Sequence, residues 1–291
     1  MPLFWLVLFL ALGYYILHPG TTTEKLKESL AGKDKIKKVE RVIKGVKAPE
    51  ENQIEFSFLS IPSDSLYTYL LPSRDKNKQI VRHTAYTLEY DEQHEQADWV
   101  AYILDGSKLK GGEDRKDNFR EDKAVKTGSA TPADYRGSGY DRGHLAPAAD
   151  MNWSKEAMSE SFYMSNMSPQ TKEFNRDIWR KLETQVRLWA LQHNVLYVVT
   201  GPVFTGEETK KIGKNEVTVP EYYYKVILDY TEPELKTIGF ILPNSKSTKE
   251  LKEYAVTVNE VERKTGIDFF EKLPDDFENR LESIYEQDLW W

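Results

Sequence analysis

The stretch "GYDRGHLAPAADM", residues 139 to 151, sets Asp141, Arg142 and His144 around Gly143, in a chain with only five histidines. That grouping has a chemistry. Imidazole has the side-chain pKa nearest neutrality, so His144 can take a proton from water. An unperturbed ring would give a rate that rises through a limb at roughly pH 6 to 7. Arg142 offers a permanent, forked cation that matches a phosphate. Gly143 lets the backbone approach a substrate closely. Asp141 is suited to anchoring the turn by accepting hydrogen bonds. Each piece also has an ordinary reading, a surface ion pair for Asp-Arg and a structural role for the histidine. The tetrapeptide arises by chance in a chain of this length on the order of once in five hundred.

A second constellation follows in "SNMSPQTKEFNRDIWRKLE", residues 165 to 183. Phe174, Ile178, Leu182, Val186 and Trp189 recur at helical spacing and predict a helix over Lys172 to His193. Asn175, Trp179 and Glu183 then share one row at i, i+4 and i+8, beside the apolar stripe and outside it. Asn175 and Glu183 would lie about 12 Å apart along the axis, a gap that a hydrated ion could bridge in part. Magnesium keeps several waters and needs few protein ligands. A neutral asparagine oxygen would leave the ion's full charge for a phosphate. Taken alone, Asn175 is a polar residue near a helix start and Glu183 a solvated helix residue.

The surrounding elements must position these groups. Apolar and β-branched runs predict strands at 82–90, 99–104, 195–200, 222–230 and 237–242. A further helix is expected over 251–265, ended by Gly266. Strands and helices without regular alternation favour an α+β domain. At 291 residues and 40% hydrophobic, the chain can bury a sizeable core.

There is no cysteine, which excludes disulfides, thiolate nucleophiles and cysteine metal sites. The net charge is −7, so any polyanion must be held by a local cluster of cations. Asp268 to Trp291 carries eight acidic residues against Lys272 and Arg280. This end is expected to pack Phe269, Phe270, Trp290 and Trp291 while its carboxylates stay in water and repel nucleic acid, so truncation after Phe270 should leave activity intact or raise it at low salt. The uncharged run Leu3 to Leu17 suits a secretory signal or a retained anchor and is short for a full membrane span. The lysine- and glutamate-rich segment after it reads as a solvated tether. These features divide the chain into 1–20 (anchor or signal), 21–50 (tether), 51–270 (main domain) and 271–291 (acidic extension).

"DRGH" followed by "SNMSPQ" and "FNRDIWRKLE" resembles the DNA/RNA non-specific endonucleases. The resemblance extends through "NFRED", "FYMSN", "YVVTGPVF" and "VPEYYYKVIL" and covers roughly residues 58 to 270. It implies a ββα-metal core inside a larger mixed sheet-and-helix domain. It also implies roles: His144 as general base, Asn175 as the single protein ligand of Mg2+ (with Mn2+ able to substitute), and Arg142 on the phosphate. Asn166 and Gln170 would line the site, and Glu183 would orient water around the ion. Arg120 or Arg115 would supply an upstream arginine, with Arg120 preferred. The implied substrates are DNA and RNA, cut to leave 5′-phosphate ends. The implied location is exported, either membrane-anchored or periplasmic or extracellular, and a homodimer is one assembly left open. Three rivals stand beside this reading: a nuclease restricted to single strands, a catalytically silent, membrane-tethered nucleic-acid-binding protein, and a purely structural envelope protein.

Overall fold

The structure, a computed structural model, describes residues 67–206, 210–231 and 235–291. The N-terminal run and the charged tether lie outside the described residues. No helix among the described residues is long and apolar enough to cross a membrane.

Seven antiparallel strands make one sheet. They are β1 (Gln79–Arg82), β2 (Tyr86–Asp91), β3 (Gln96–Asp105), β6 (Val195–Val203), β9 (Tyr222–Asp229), β10 (Lys236–Pro243) and β11 (Ala255–Val256), hydrogen-bonded in that order. The expected single strand over 82–90 is a hairpin, turned at His83, whose N–H donates to the Tyr86 carbonyl at 2.9 Å. That turn has no glycine or proline to mark it. The other four expected strands are present, each starting at or before its predicted residue. β6 runs on through Gly201-Pro202.

Alternation along the central strands builds two cores, one on each face. Leu196 and Val198 of β6, with Tyr223 and Ile227 of β9, join the core packed by the helix α3 (Arg180–His193). Tyr197 and Val199, with Tyr224, Val226 and Leu228, join the core on the other face. That second face is covered by α4 (Val258–Thr265) and α5 (Asp275–Ser283). Two short helices, α1 (Pro132–Tyr135) and α2 (Lys155–Glu160), sit in the connections. Separate two-stranded ribbons are formed by β4 (Asp141–His144) with β5 (Met167–Gln170), and by β7 (Lys211–Ile212) with β8 (Val217–Thr218).

The acidic end is part of this fold and not an appendage. Phe277 and Leu281 of α5 are buried in the second core, and Trp290 is buried in the first. Trp290 lies 4.9 Å from Trp189 edge to face. Its carboxylates do not all remain in water, since Glu282 is only 4% exposed. Burial of each large apolar side chain is worth about 1.5–3 kcal/mol, and three together approach the whole stability of an ordinary domain. Truncation after Phe270 is therefore expected to unfold the protein. A thermal melt of the truncated chain checks this, and a cooperative transition near the parent's would contradict it.

Candidate active site

β4 and β5 run antiparallel, with Asp141 opposite Gln170 and His144 opposite Met167. The chain then enters a helix at Lys172 and passes through a π-helical turn, Phe174–Trp179, before α3. Strand, strand and helix together are a ββα unit, with His144 at the end of its first strand and Asn175 of the helix bonded back to Asp141 at the start of that strand.

Asn175 donates from Nδ2 to Asp141 Oδ2 at 3.0 Å. Arg176 donates from Nε and Nη2 to the same carboxylate, each at 2.8 Å. A carboxylate only accepts, so the amide must turn its NH2 toward it and its Oδ1 away. Burial alone would raise Asp141, but hydrogen bonds from Arg176 and Asn175 hold it below the usual carboxylate range. Asp141 therefore spends three of its acceptor sites on Asn175 and Arg176, and orients both. The π turn breaks the expected row. Asn175 stays half-buried at the edge, while Trp179 is fully buried against Phe174 at 5.2 Å and Tyr223 at 5.7 Å. Single π turns inside helices recur at functional sites.

His144 ends β4 between two phenylalanines. Phe162 meets the ring edge to face at 5.0 Å and Phe119 at 5.8 Å. Each phenylalanine also carries a guanidinium: Arg142 lies 3.9 Å from the Phe119 centroid and Arg115 lies 4.9 Å from that of Phe162. His144 Nε2 is sealed from solvent without a hydrogen-bond partner. Burial first, then the charges of Arg115 and Arg142, push the imidazole down to about 3. The expected limb at pH 6 to 7 is thus displaced in the free protein, because two fixed cations and a low-dielectric wall oppose a third positive charge. The ring is neutral at every physiological pH.

The remaining expected residues divide between the site and its scaffold. Asn166 is fully buried. Its Oδ1 accepts from the Ala146 amide, and its Nδ2 donates to the carbonyls of Ala146 and Ser161, all at 2.9 Å. It fixes the chain just past His144, and both of its amide hydrogens are committed there. Gln170 is fully buried as well, with both amide atoms unpaired. Its side chain occupies the space where a Cβ on Gly143 would fall, at 2.1 Å. Gly143 is thus required by packing within the ribbon, where the sequence suggested access for a substrate. Arg120 donates to the carbonyls of Ser159 at 2.8 Å and Asn118 at 3.2 Å, and stacks 3.9 Å from the Tyr163 centroid. Arg115 is exposed, paired with Asp117 at 2.8 Å beside its contact with Phe162, and its charge falls on both His144 and Glu183.

Glu183 belongs to a charged cluster beneath the helix that sequence reasoning missed. Lys225 is fully buried in β9, and its Nζ lies 4.8 Å from the Trp179 ring without a hydrogen-bond partner. By alternation it shares the face of Tyr223 and Ile227. Asp150 accepts from Arg187 Nη1 and from the Tyr102 hydroxyl, both at 2.9 Å. Burial pushes Glu183 up to about 7, with Lys225 opposing and Asp150 adding to the rise. Burial pushes Lys225 down to about 8 against the pull of Glu183 and Asp150. A lysine inside the otherwise apolar run "YYYKVIL" was the available signal, because such a residue is costly to bury without partners.

An oxygen-binding ion suits these residues. Asn175 Oδ1 faces away from its anchor, Glu183 is half-buried on the same helix, and the chain has no thiol to compete. A groove of about 760 Å³ between α3 and residues 247–252 is lined by Arg180, Lys181, Lys249 and Lys252, and by none of the site residues.

A large antiparallel sheet with a ββα unit carrying a histidine on the strand and an asparagine on the helix defines a ββα-metal nuclease. The chain belongs to the DNA/RNA non-specific endonuclease family, whose model matches residues 64–276. It is 38% identical to human mitochondrial endonuclease G over 205 residues, 66% of this chain and 69% of that protein. It is 36% identical to a nuclease of Nostoc over 237 residues, 77% of this chain and 84% of that protein. A crystal structure of endonuclease G in complex with its inhibitor matches with a TM-score of 0.67 at 32% identity, covering 74% of this chain and 94% of that one. The family implies a divalent metal.

Proposed function

We propose that this protein is a Mg2+-dependent endonuclease that hydrolyses DNA and RNA without strong sequence preference and leaves 5′-phosphate ends. The observation that carries the reading is the pairing of a neutral, cation-flanked His144 with an Asn175 amide whose oxygen is turned outward by Asp141. Nε2 of His144 is sealed, so Nδ1 is the nitrogen that accepts the proton from water. The water oxygen bonds to phosphorus, the bond from phosphorus to the 3′ oxygen breaks, and that oxygen takes a proton from solvent. Arg142 and Arg115 hold the phosphate and oppose the charge that grows on it. Asn175 would hold the ion, with Glu183 orienting its water shell. When bound, the ion supplies charge neutralisation at the phosphate and at the departing oxygen. No groove-reading element is needed, since contacts to phosphate carry no sequence information.

Plasmid nicking with and without EDTA tests the reading. Magnesium or manganese should restore cleavage after chelation. Zinc should restore little, because the only imidazole in the site serves as base and the donors are oxygens. Full activity after exhaustive chelation would sink the metal assignment, and no activity with any divalent ion would favour the silent binding protein.

We place Arg115, rather than Arg120, on the substrate. A charged hydrogen bond is worth about 1.5–3 kcal/mol, so Arg115→Ala should raise the KM for DNA roughly tenfold or more with the melting temperature unchanged. Arg120→Ala should instead lower the melting temperature and leave the folded fraction near parental activity. The opposite pattern in steady-state kinetics and melts would reverse the assignment.

Location follows from the N-terminal run. We propose export with the segment Leu3 to Leu17 as signal or anchor, consistent with the hazard of an unspecific nuclease to its own cell.

A further inference from the structure

Four carboxylates gather on the sheet face opposite the catalytic ribbon. Glu262 sits on α4. Asp268 follows Gly266, which ends α4 in the left-handed conformation at φ 73°. Glu278 and Glu282 lie one turn apart on α5. One oxygen from each of Glu262, Asp268 and Glu282 lies within 4.8 Å of the others. An independent observation concerns Glu282: the residue is 4% exposed, and its Oε1 is sealed from solvent without any hydrogen-bond partner. Glu278 Oε1 is sealed and unpaired in the same way. The Phe269 amide donates to Glu262 Oε1 at 2.8 Å, which turns that carboxylate into the loop. Among the described residues no lysine or arginine forms an ion pair with any of the four.

We propose that Glu262, Asp268 and Glu282, with Glu278 beside them, bind a second divalent cation that staples α5 to the end of α4. A buried carboxylate must be neutralised, paired or coordinated. Like charges one helical turn apart are destabilising, so the spacing of Glu278 and Glu282 opposes α5 unless something positive lies between them. Oxygen donors alone select a hard ion. Carboxylates drawn from two helices and a loop suit calcium, which accepts irregular geometry, better than magnesium, which demands an octahedron and keeps its waters. The site is separate from Asn175, and its role is to hold the C-terminal helix on the core. Burial and the neighbouring carboxylates push Glu282 up to about 9 and Glu278 up to about 7, so a shared proton is the competing way to neutralise the cluster.

The test uses the full chain, stripped with EDTA and dialysed, with calcium chloride as the probe. Melts are run on the parent, on Asn175→Ala to silence the catalytic ion site, on Glu282→Gln and on Asp268→Asn. A ligand at a hundredfold excess over its Kd should raise the melting temperature of a domain this size by on the order of 5 °C or more. That rise is expected in the parent and in Asn175→Ala alike. It should vanish in Glu282→Gln and need at least tenfold more calcium in Asp268→Asn, which alters an exposed residue and keeps the test open if Glu282→Gln does not fold. No calcium-dependent rise in Asn175→Ala overturns the proposal. So does an undiminished rise in both carboxamide variants. A Glu282→Gln variant more stable than a calcium-insensitive parent would show a protonated cluster and no cation site.

Discussion

Replacing His144 with alanine is expected to slow cleavage by roughly 10²–10⁴-fold, the usual worth of a general base, and to leave the fold and metal binding in place. The ring contacts Phe119 and Phe162 from the end of a four-residue strand, and Asn166 holds that strand end by backbone bonds the substitution does not touch. The pH profile separates a base from a merely structural ring. Held at about 3 by burial, Arg115 and Arg142, His144 is already neutral at pH 5, so kcat/KM should show no histidine limb between pH 5 and 8. A bound phosphate offsets both arginines, so the limb in kcat should lie above that in kcat/KM. Arg115→Ala should raise the free-protein limb, because one of the two depressing charges is gone. Stability gives a second readout. The folded pKa lies below the unfolded value near 6.5, so the unfolded chain binds the extra proton. Stability is then lost as pH falls from about 6.5 toward 3. His144→Ala should flatten this part of the acid-unfolding curve. Cleavage within a few-fold of the parent would remove His144 from the mechanism.

Much of the scaffold was legible because long strands alternate visibly. Val195 to Thr200 and Tyr222 to Tyr230 carry apolar residues on both faces, as strands covered on both sides must. The functional ribbon was harder. β4 and β5 are four residues each and contain Gly143 and Pro169, so neither shows a strand period, and only the resemblance of DRGH to a family pointed there. The helix from Lys172 was read correctly in extent, but a π turn has no signature in a 3.6-residue pattern. It moved Trp179 into the core and left Asn175 at the edge. The buried groups were hardest to see. Lys225, Asp150 and Glu282 look like ordinary charged residues in one dimension, and the groups around Lys225 and Asp150 come from elements far along the chain. The choice between Arg115 and Arg120 shows the same limit: the two differ in whether nearby carbonyls of Asn118 and Ser159 absorb the guanidinium, which spacing alone does not reveal.

Asn175→Ala is expected to cost roughly 10²-fold or more in cleavage at low magnesium and to recover part of the rate when magnesium is raised. In the proposed mechanism the asparagine gives one oxygen to the ion and no proton to the reaction, so its loss should appear first as a weaker apparent affinity for metal. Asp141→Asn is the sharper variant. Asp141 accepts from the Asn175 amide and from Arg176, so in the proposed mechanism it acts by fixing which way that amide points and by neutralising Arg176. With a neutral partner the Asn175 amide loses its strong preference to present NH2, and Arg176 is released near the phosphate path. Partners that orient metal ligands are typically worth 10–100-fold in metal affinity, so Asp141→Asn should raise the magnesium requirement by about that factor. At saturating magnesium its kcat should return close to the parent's, because His144, Arg142 and Arg115 are unaltered. A magnesium titration of both variants, read as metal affinity against kcat, decides the matter. If Asp141→Asn lowers kcat at saturating magnesium while the metal requirement stays the same, the carboxylate acts on the substrate itself and the orienting role fails.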